Sequence, residues 1–549
     1  TDLHAALKVT FRGLASGEPR LALPALGGLF GSEQTPWLDA AQLQNRHLLS
    51  ALWALAWIAR DGATERVNWH DMGPEELGSV YESLLDLHPQ VEVGAGRFEL
   101  THGGSERRAT GSHYTPTPVT KTVLDFALDP AIAECLKQPD PEKALLSLRV
   151  LDPACGSGHF LIAAAQRIGR RLASIRTGDE EPAPEAIRQS VRDVVAHCIY
   201  GVDVNPMAVE LCKVALWMET LEPGKPLGFL DHRIRCGDSL LGVPLTSTVA
   251  RMKRELEERR VQLTAAIATV DQAIRKAPFK GEEADRLGKK RKVLEKELNG
   301  LEYDLWPDHV PDEAFKATGE DDKALVRATL SDNRKERRSG QRSLFRGTLL
   351  DIAAAARVTE QLATAEESVA DVQAKSDSLR VLEASPAYRV AKLRADAWCA
   401  AYFWRIAADE PPAPTDSVFQ MLKEAPDRLD PAMNARIDRL AARHRFFHFE
   451  LAFPEVFVRE QPGFDVELGN PPYLGGLKIS SNLGDRYLGF LKSIAPEAGG
   501  TTDLSAYFFR RGFDLLSAHG DLGFLATNTI AQGDTRAAAL TPITERWGG

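Results

Sequence analysis

The rhythm of apolar and polar positions changes several times along the chain. Leu48 to Ala59 (LLSALWALAWIA) is almost wholly apolar, with Trp53 and Trp57 a helical turn apart, and predicts a buried helix. It falls well short of the ~20 residues that a membrane span needs. Pro74 to Leu87 opens with proline and acids and then sets Leu77, Val80, Tyr81, Leu84 and Leu85 on one stripe, which predicts an amphipathic helix. The stretch from Gly94 to Gly111 reads as a β-turn or loop junction closing a mainly helical front, residues 1–108.

From Leu148 short apolar runs alternate with helical segments. LRVLDP, IYGVDV and RIRCGD each predict a buried strand ending on an acid, and FLIAAAQRIGRRLA and MAVELCKVALWMETL predict the intervening helices. This is the βαβ pattern of a doubly wound α/β sheet. It stops over about 249–445. There, charge-dense segments from Arg251 to Lys276 and Ala284 to Trp306 carry apolar residues every three or four positions, predicting an antiparallel helical hairpin or short coiled coil. A second helical group follows from Leu349 to Ala407. Strand signals return in FFHFELAFPEVF (Phe446 to Phe457) and GFDVELGNPPY, then a helix from Leu504 to Ala518 and the strand-like GDLGFLATNTI. No fixed-period repeat or low-complexity tail is present.

Length and charge then narrow the picture. The 549 residues imply three or four folding units, and the 44% hydrophobic content excludes a disordered chain. A net charge of −10 excludes a histone-like binder and weighs against nucleic acid unless a local basic surface supplies the contact. The strongest positive stretch, Ser331 to Arg346, carries Arg334, Lys335, Arg337, Arg338, Arg342 and Arg346 against Asp332 and Glu336. The six cysteines contain no C-x-x-C pair, so neither a structural zinc nor a disulfide framework is expected, no metal site is expected, and a reducing cytoplasm fits. No signal-peptide pattern is seen; the chain opens at Thr1 without Met and ends at Gly548-Gly549, so both ends read as limits of a piece.

Four strand ends carry candidate chemistry. In LRVLDPACGSGHF, Asp152, Ala154, Cys155, Gly156, Gly158 and Phe160 surround a Gly-rich turn between strand and helix, where a ligand can approach the backbone. The turn lacks the P-loop ending and departs from G-x-G-x-x-G, and the acid before it suits a cationic or amine-bearing ligand better than a pyrophosphate. Asp203 ends the next strand, where a carboxylate takes two ribose hydroxyls or, alternatively, caps a helix. Asp238 in CGDSL could accept from an adenine amino group. In GNPPY, Asn470 offers an amide oxygen, Pro471 a carbonyl stiffened by Pro472, and Tyr473 an aromatic face, a set that can grip an exocyclic amine on a planar base.

Taken in order, GSHYTP, DPACGSGHF, GVDVNP, CGDSL, GNPPY and DLSAYFFRRGF resemble the motif series of gamma-class amino-methylating DNA methyltransferases. The nearest resemblance is to adenine methylases of type IIG restriction–modification enzymes and of BREX and DISARM phage-defence systems, over about 109–248 and 446–535. It implies a Rossmann-like methyltransferase sheet, S-adenosylmethionine as cofactor and double-stranded DNA as substrate, the target adenine being flipped and methylated on N6. It also implies roles: Tyr114, Thr115 and the Asp152 to Gly158 turn for the methionine part, Asp203 for the ribose, Asp238 and Ser239 for the adenine ring, and Phe508 packed on it. Asn470, Pro471, Pro472 and Tyr473 would hold the target base. Glu467 departs from the family's usually apolar strand and is expected to face solvent or the insertion.

The expected domains are the helical front 1–108, the methyltransferase halves 109–248 and 446–549, and a helical insertion 249–445, with a target-recognition domain absent. For the insertion a scaffold or a surface for other defence-system subunits is favoured over direct DNA contact, because charge-rich helices are usually solvated. Pro311-Asp312 with Asp321-Asp322-Lys323 only loosely matches a nuclease pattern. A SAM-binding scaffold subunit, or an amino-methylase acting on RNA or protein, stands as the alternative; no membrane partner is expected.

Overall fold

The computed structural model describes residues 2–18, 20, 30, 40–60, 62–69, 87–92, 94–102, 115–222, 225–276, 282–299, 309–338 and 352–546. The expected helix from Pro74 to Leu87 therefore lies outside the described residues except at Leu87, which is extended, and Tyr114 and the basic residues Arg342 and Arg346 lie outside them too. Chain contacts form two compact units: one holds 1–241, 350–391 and 444–549, the other 242–349 and 392–443.

Among its described residues, the front of the chain is less helical than expected. Helices span Asp2–Ser16 and Asn45–Ala56, and two antiparallel hairpins follow, β1 (Trp57–Arg60) with β2 (Ala63–Arg66) and β3 (Leu87–Glu92) with β4 (Arg97–His102). Glycines at positive φ, Gly62 and Gly96, turn them. The LLSALWALAWIA helix accordingly stops at Ala56. Its one buried apolar residue among those described is Leu48, while Trp53 is 61% exposed and stacks on Trp57 at 5.2 Å. The expectation of a buried helix is corrected in that respect.

The five apolar runs that read as strands from Leu148 onward, apart from FFHFELAFPEVF, form one parallel sheet. Its strands are β5 (Val150–Asp152), β6 (Ile199–Asp203), β7 (Ile234–Cys236), β8 (Phe464–Gly469) and β9 (Leu516–Phe524), in the order β7-β6-β5-β8-β9. Helices His159–Thr177, Pro184–Cys198 and Pro206–Glu219 pack their apolar faces on it, with Leu161, Ile168, Val194, Cys212 and Leu216 fully buried. The winding reverses between β5 and β8, and in such sheets the crevice beyond the strand ends at that reversal is where ligands bind.

Two elements differ from expectation. FFHFELAFPEVF folds as short helices, Phe449–Ala452 and Pro454–Phe457, because Phe449, Phe453 and Phe457 recur every four residues, a helical period, and Pro454 opens the second helix. The Phe453 and Phe457 rings pack edge-on against Phe464, and Phe453 also meets Tyr200 at 5.2 Å. The helix from Leu504 ends at Leu515, and the residues expected to prolong it open β9.

Glu467 is the sharper correction. It faces neither solvent nor the insertion but is completely buried, and neither carboxylate oxygen has a hydrogen-bond partner. A Cβ at Gly512 of helix Leu504–Leu515 would lie 2.9 Å from its Oε2, so that helix covers it. Burial pushes its carboxyl well above the usual range, with the Arg511 charge opposing. The folded state thus keeps a proton that the unfolded chain releases, and the stability this group allows is full below about pH 4 and lost as pH rises. Glu467→Met is expected to stabilise the sheet-bearing unit by about 1–3 kcal/mol at pH 8 and by less at pH 5. Thermal melts at both pH values test this; a lower melting temperature at pH 8 would refute it.

The second unit contains the expected helical hairpin, Thr246–Lys276 against Glu282–Asn299, with antiparallel pairing marked by Arg259–Glu297 at 2.5 Å and Arg291–Asp271 at 2.7 Å. The described half of the basic stretch lies on helix Lys323–Arg338 and is largely neutralised: Arg334 and Arg337 pair with Asp312, Arg337 also with buried Asp416, and Lys335 with Asp332. The carboxylates of the nuclease-like pattern serve the fold, Asp321 accepting from the Ile406 amide and Asp322 capping that helix through Ala324 N–H. All six cysteines are unbridged. Among the described residues no helix is long and apolar enough to cross a membrane.

Candidate functional site

The site is assembled from the carboxyl ends of β5, β6, β7 and β8, all within the sheet-bearing unit. After β5 the chain turns through Gly156 (φ +52) and Gly158 (φ +87) into helix His159–Thr177. At Gly158 a Cβ would lie 2.7 Å from Cys212 Sγ, so close packing as well as backbone conformation calls for glycine. At Gly156 a Cβ would meet nothing within 4 Å, which leaves open space beside the turn. The Cys155 amide donates to Val202 O at 3.0 Å and ties the turn to β6.

Asp152 is 1% exposed, and its Oδ1 accepts from the Ala154 amide at 3.0 Å. Burial pushes its carboxyl up to about 8, reinforced by the nearby Asp203 charge and opposed by that amide. Asp203 uses both oxygens on backbone, Oδ2 accepting from Gly156 N–H at 2.9 Å and Oδ1 from Asn205 N–H at 2.8 Å. Burial raises its carboxyl, while those bonds and the Arg445 charge oppose the shift. The alternative reading of Asp203 as a helix cap is not what the structure contains, because Asn205 caps helix Pro206–Glu219 through the Met207 amide at 3.0 Å.

At the end of β7, Asp238 accepts from the Leu240 amide and from the Tyr487 hydroxyl, each at 2.9 Å, and burial raises its carboxyl to about 6. Ser239 Oγ donates to Pro153 O at 2.6 Å, locking the third strand end to the first turn. Phe160 is buried in the core of the sheet, and Phe508 is buried on helix Leu504–Leu515.

Beyond β8 comes Asn470. Its Nδ2 donates to Thr115 Oγ1 at 3.0 Å, and its Oδ1 accepts from the Tyr473 hydroxyl, so a residue 355 positions upstream orients the amide from the other side. Pro471 is buried and Tyr473 half-buried. Gly469 presses on Asp152, since a Cβ there would lie 2.8 Å from Asp152 Oδ1. The structure thus brings Thr115, Asp152, Asp203, Asp238, Ser239 and Asn470 to neighbouring strand ends.

Two residues were not anticipated from the motifs. Tyr487, on helix Asp485–Ile494, reaches Asp238 across 249 residues of sequence. Arg445 (φ +53) accepts the Asp238 amide on its carbonyl at 2.8 Å and donates through its guanidinium to Val204 O beside Asp203. Neither carries a local signal beyond its position. A separate groove of about 590 Å³ lies between helices Thr117–Ala127 and His159–Thr177, lined by Lys121, Arg167, Arg170 and Arg171, and is not this site.

With this arrangement in view, comparison with protein families is decisive. The model of the Eco57I restriction-modification methylase family matches residues 197–541. The chain belongs to that family. A second family model, N-6 DNA Methylase, matches residues 75–243 and takes in the Gly-rich turn of this methylase-family member. Among similar proteins are a putative type II restriction enzyme and methyltransferase of Methanocaldococcus jannaschii, 26% identical over 31% of this chain, and the adenine-specific methyltransferase PglX of Streptomyces coelicolor, 30% identical over 34%. The Escherichia coli type II restriction enzyme and methyltransferase RM.Eco57I is 27% identical over 30% of the chain. The matched segments span only 17%, 15% and 18% of those relatives' own lengths.

Proposed function

We propose that this methylase-family member transfers a methyl group from S-adenosylmethionine to the N6 amino group of a flipped adenine in double-stranded DNA, within a restriction–modification or phage-defence system of the cytoplasm. The observation that carries the reading is the meeting of two loops at the winding reversal: the Asn470 loop beyond β8 packs, through Gly469, directly on Asp152 of β5. The sheet, with its order β7-β6-β5-β8-β9, is read as a Rossmann-like methyltransferase sheet.

The residues present suit the cofactor. Gly156 leaves open space beside the turn, and the buried Asp152 with the half-buried Asp203 and Asp238 at adjacent strand ends match a ligand with an ammonium group, a ribose and an adenine amine. Tyr114, Thr115 and the turn would hold the methionine part, Asp203 the ribose, and Asp238 with Ser239 the adenine ring, Phe508 packing on it. When bound, S-adenosylmethionine supplies an activated methyl group.

The chain's own part is positioning. A base inside a duplex cannot reach the site, so it is flipped at a cost of a few kcal/mol. Asn470 Oδ1 and the Pro471 carbonyl then accept hydrogen bonds from the two amine N–H groups, which directs the nitrogen lone pair out of the ring, while Tyr473 stacks on the base and Pro472 stiffens the loop; one amine proton leaves to solvent as the methyl is gained. Thr115 and Tyr473 hold the Asn470 amide in place beforehand, so little reorganisation remains. The helical hairpin of the second unit is assigned to contacts with other defence-system subunits.

Incubation of the full-length protein with labelled cofactor and separate DNA, RNA and protein substrates tests the reading. Label on N6 of adenine in DNA is expected; label on RNA or protein alone, or cofactor binding without any transfer, would overturn it.

A further inference from the structure

The helix that follows the Asn470 loop has an unusual side chain at its start. Leu477 is 80% exposed, the most exposed large apolar residue among those described. It lies in the first turn of helix Gly476–Leu483, four residues after Tyr473.

Everything around it is anchored. Leu474 is buried and its carbonyl accepts from the Leu504 amide at 2.9 Å. A Cβ at Gly476 would lie 2.6 Å from Thr501 and Thr502 backbone atoms, so the helix start is pressed against that segment. Ile479 is fully buried on the opposite side of the helix. The exposed face therefore consists of Leu477 with Lys478, Ser481 and Asn482, and Lys478 makes no ion pair among the described residues. An apolar tip on a fixed base, next to a cation with no ion pair among the described residues, follows by four residues the loop proposed to receive a flipped adenine.

Proteins that open a base stack commonly fill the gap with an apolar wedge such as leucine. We infer that Leu477 is such a wedge: it enters the space vacated by the target adenine, while Lys478 meets an adjacent backbone phosphate. The inference rests on the adenine-methylating reading and names the state of DNA that the site holds, a duplex with one base extruded and its place in the stack occupied by protein.

The test uses the full-length protein and its own target motif, obtained by sequencing methylated host DNA. Leu477→Ala is expected to lower methylation of a fully paired duplex at least tenfold. With an abasic site opposite the target adenine, where extrusion is easier, its rate should return to within about twofold of wild type. Leu477→Phe should keep most activity on both substrates, and binding of S-adenosylhomocysteine should be the same in all three proteins. Wild-type rates for Leu477→Ala on the paired duplex overturn the wedge. So does an equal loss on both duplexes, which is the outcome if Leu477 instead packs against protein. A wild-type protein that methylates no DNA removes the functional reading itself, a result distinguishable from either.

Discussion

Replacing Asn470 with alanine is expected to reduce methyl transfer by about a thousandfold or more while leaving affinity for S-adenosylhomocysteine within about threefold of wild type. The magnitude follows from what the amide does. It is the one side chain of the loop proposed to touch the reacting amine, and losing a single preorganised polar group at a reacting atom typically costs about 10²–10³ in rate. Here a second loss is added, because Thr115 Oγ1 and the Tyr473 hydroxyl both bond to that amide, and its removal frees the aromatic ring as well as the acceptor. Cofactor affinity falls little because Asp152, Asp203 and Asp238 are held by Ala154, Gly156, Asn205, Leu240 and Tyr487, and of the described residues proposed to hold the cofactor it is Thr115 that loses a partner. Thr115→Val, which keeps the shape but removes the hydroxyl, should fall between the two. Single-turnover methylation paired with calorimetric titration separates the effects; full activity in the alanine variant would falsify the assignment of Asn470.

Cofactor affinity is expected to depend steeply on pH, because the Asp152 carboxyl is pushed up to about 8 by burial and by Asp203. With the cofactor held as proposed, its ammonium end would favour the ionised form, so binding near neutral pH should release the proton that Asp152 holds. The sign is then fixed: affinity rises with pH, by up to about tenfold per unit, until the free protein is itself ionised near pH 8. Asp238, raised to about 6, adds to the slope only at the acidic end. Titrations of S-adenosylhomocysteine at pH 6 and pH 8, in buffers of different ionisation enthalpy, count the proton directly. Asp152→Asn should weaken binding and flatten the dependence. An unchanged slope in that variant would place the titrating group elsewhere.

The strand ends were legible in the sequence because each is a local pattern, an apolar run stopped by an acid and a small residue, and their order supplied the rest. The pairing that completes the site was not. Tyr487 and Arg445 reach Asp238 through contacts that only the fold creates, with no periodicity to mark them. Glu467 was misplaced for a different reason. A polar residue in an apolar strand suggests an open face, but β8 is flanked by strands on both edges and covered by helix Leu504–Leu515, so there is no open face for it to take. FFHFELAFPEVF shows the ambiguity of short apolar runs, in which a strand and a buried helix have the same composition and only ring spacing separates them.

The assignment of residues 350–391 to the sheet-bearing unit has a practical meaning for dissecting the protein. The connection between helices Ile352–Gln361 and Val369–Ala384 carries Glu366, which accepts from the Phe229 amide at 3.1 Å, and the second helix carries Glu383, which pairs with Arg235 on the edge strand β7 at 2.7 Å. Leu362 and Leu379 pack with Phe229 beside them. The stretch 249–445 is therefore not a removable cassette: cutting it out whole would strip the cover from an open sheet edge and invite edge-to-edge association. A minimal catalytic core has to retain this middle piece and give up 242–349 and 392–443 separately, two excisions with two new joints.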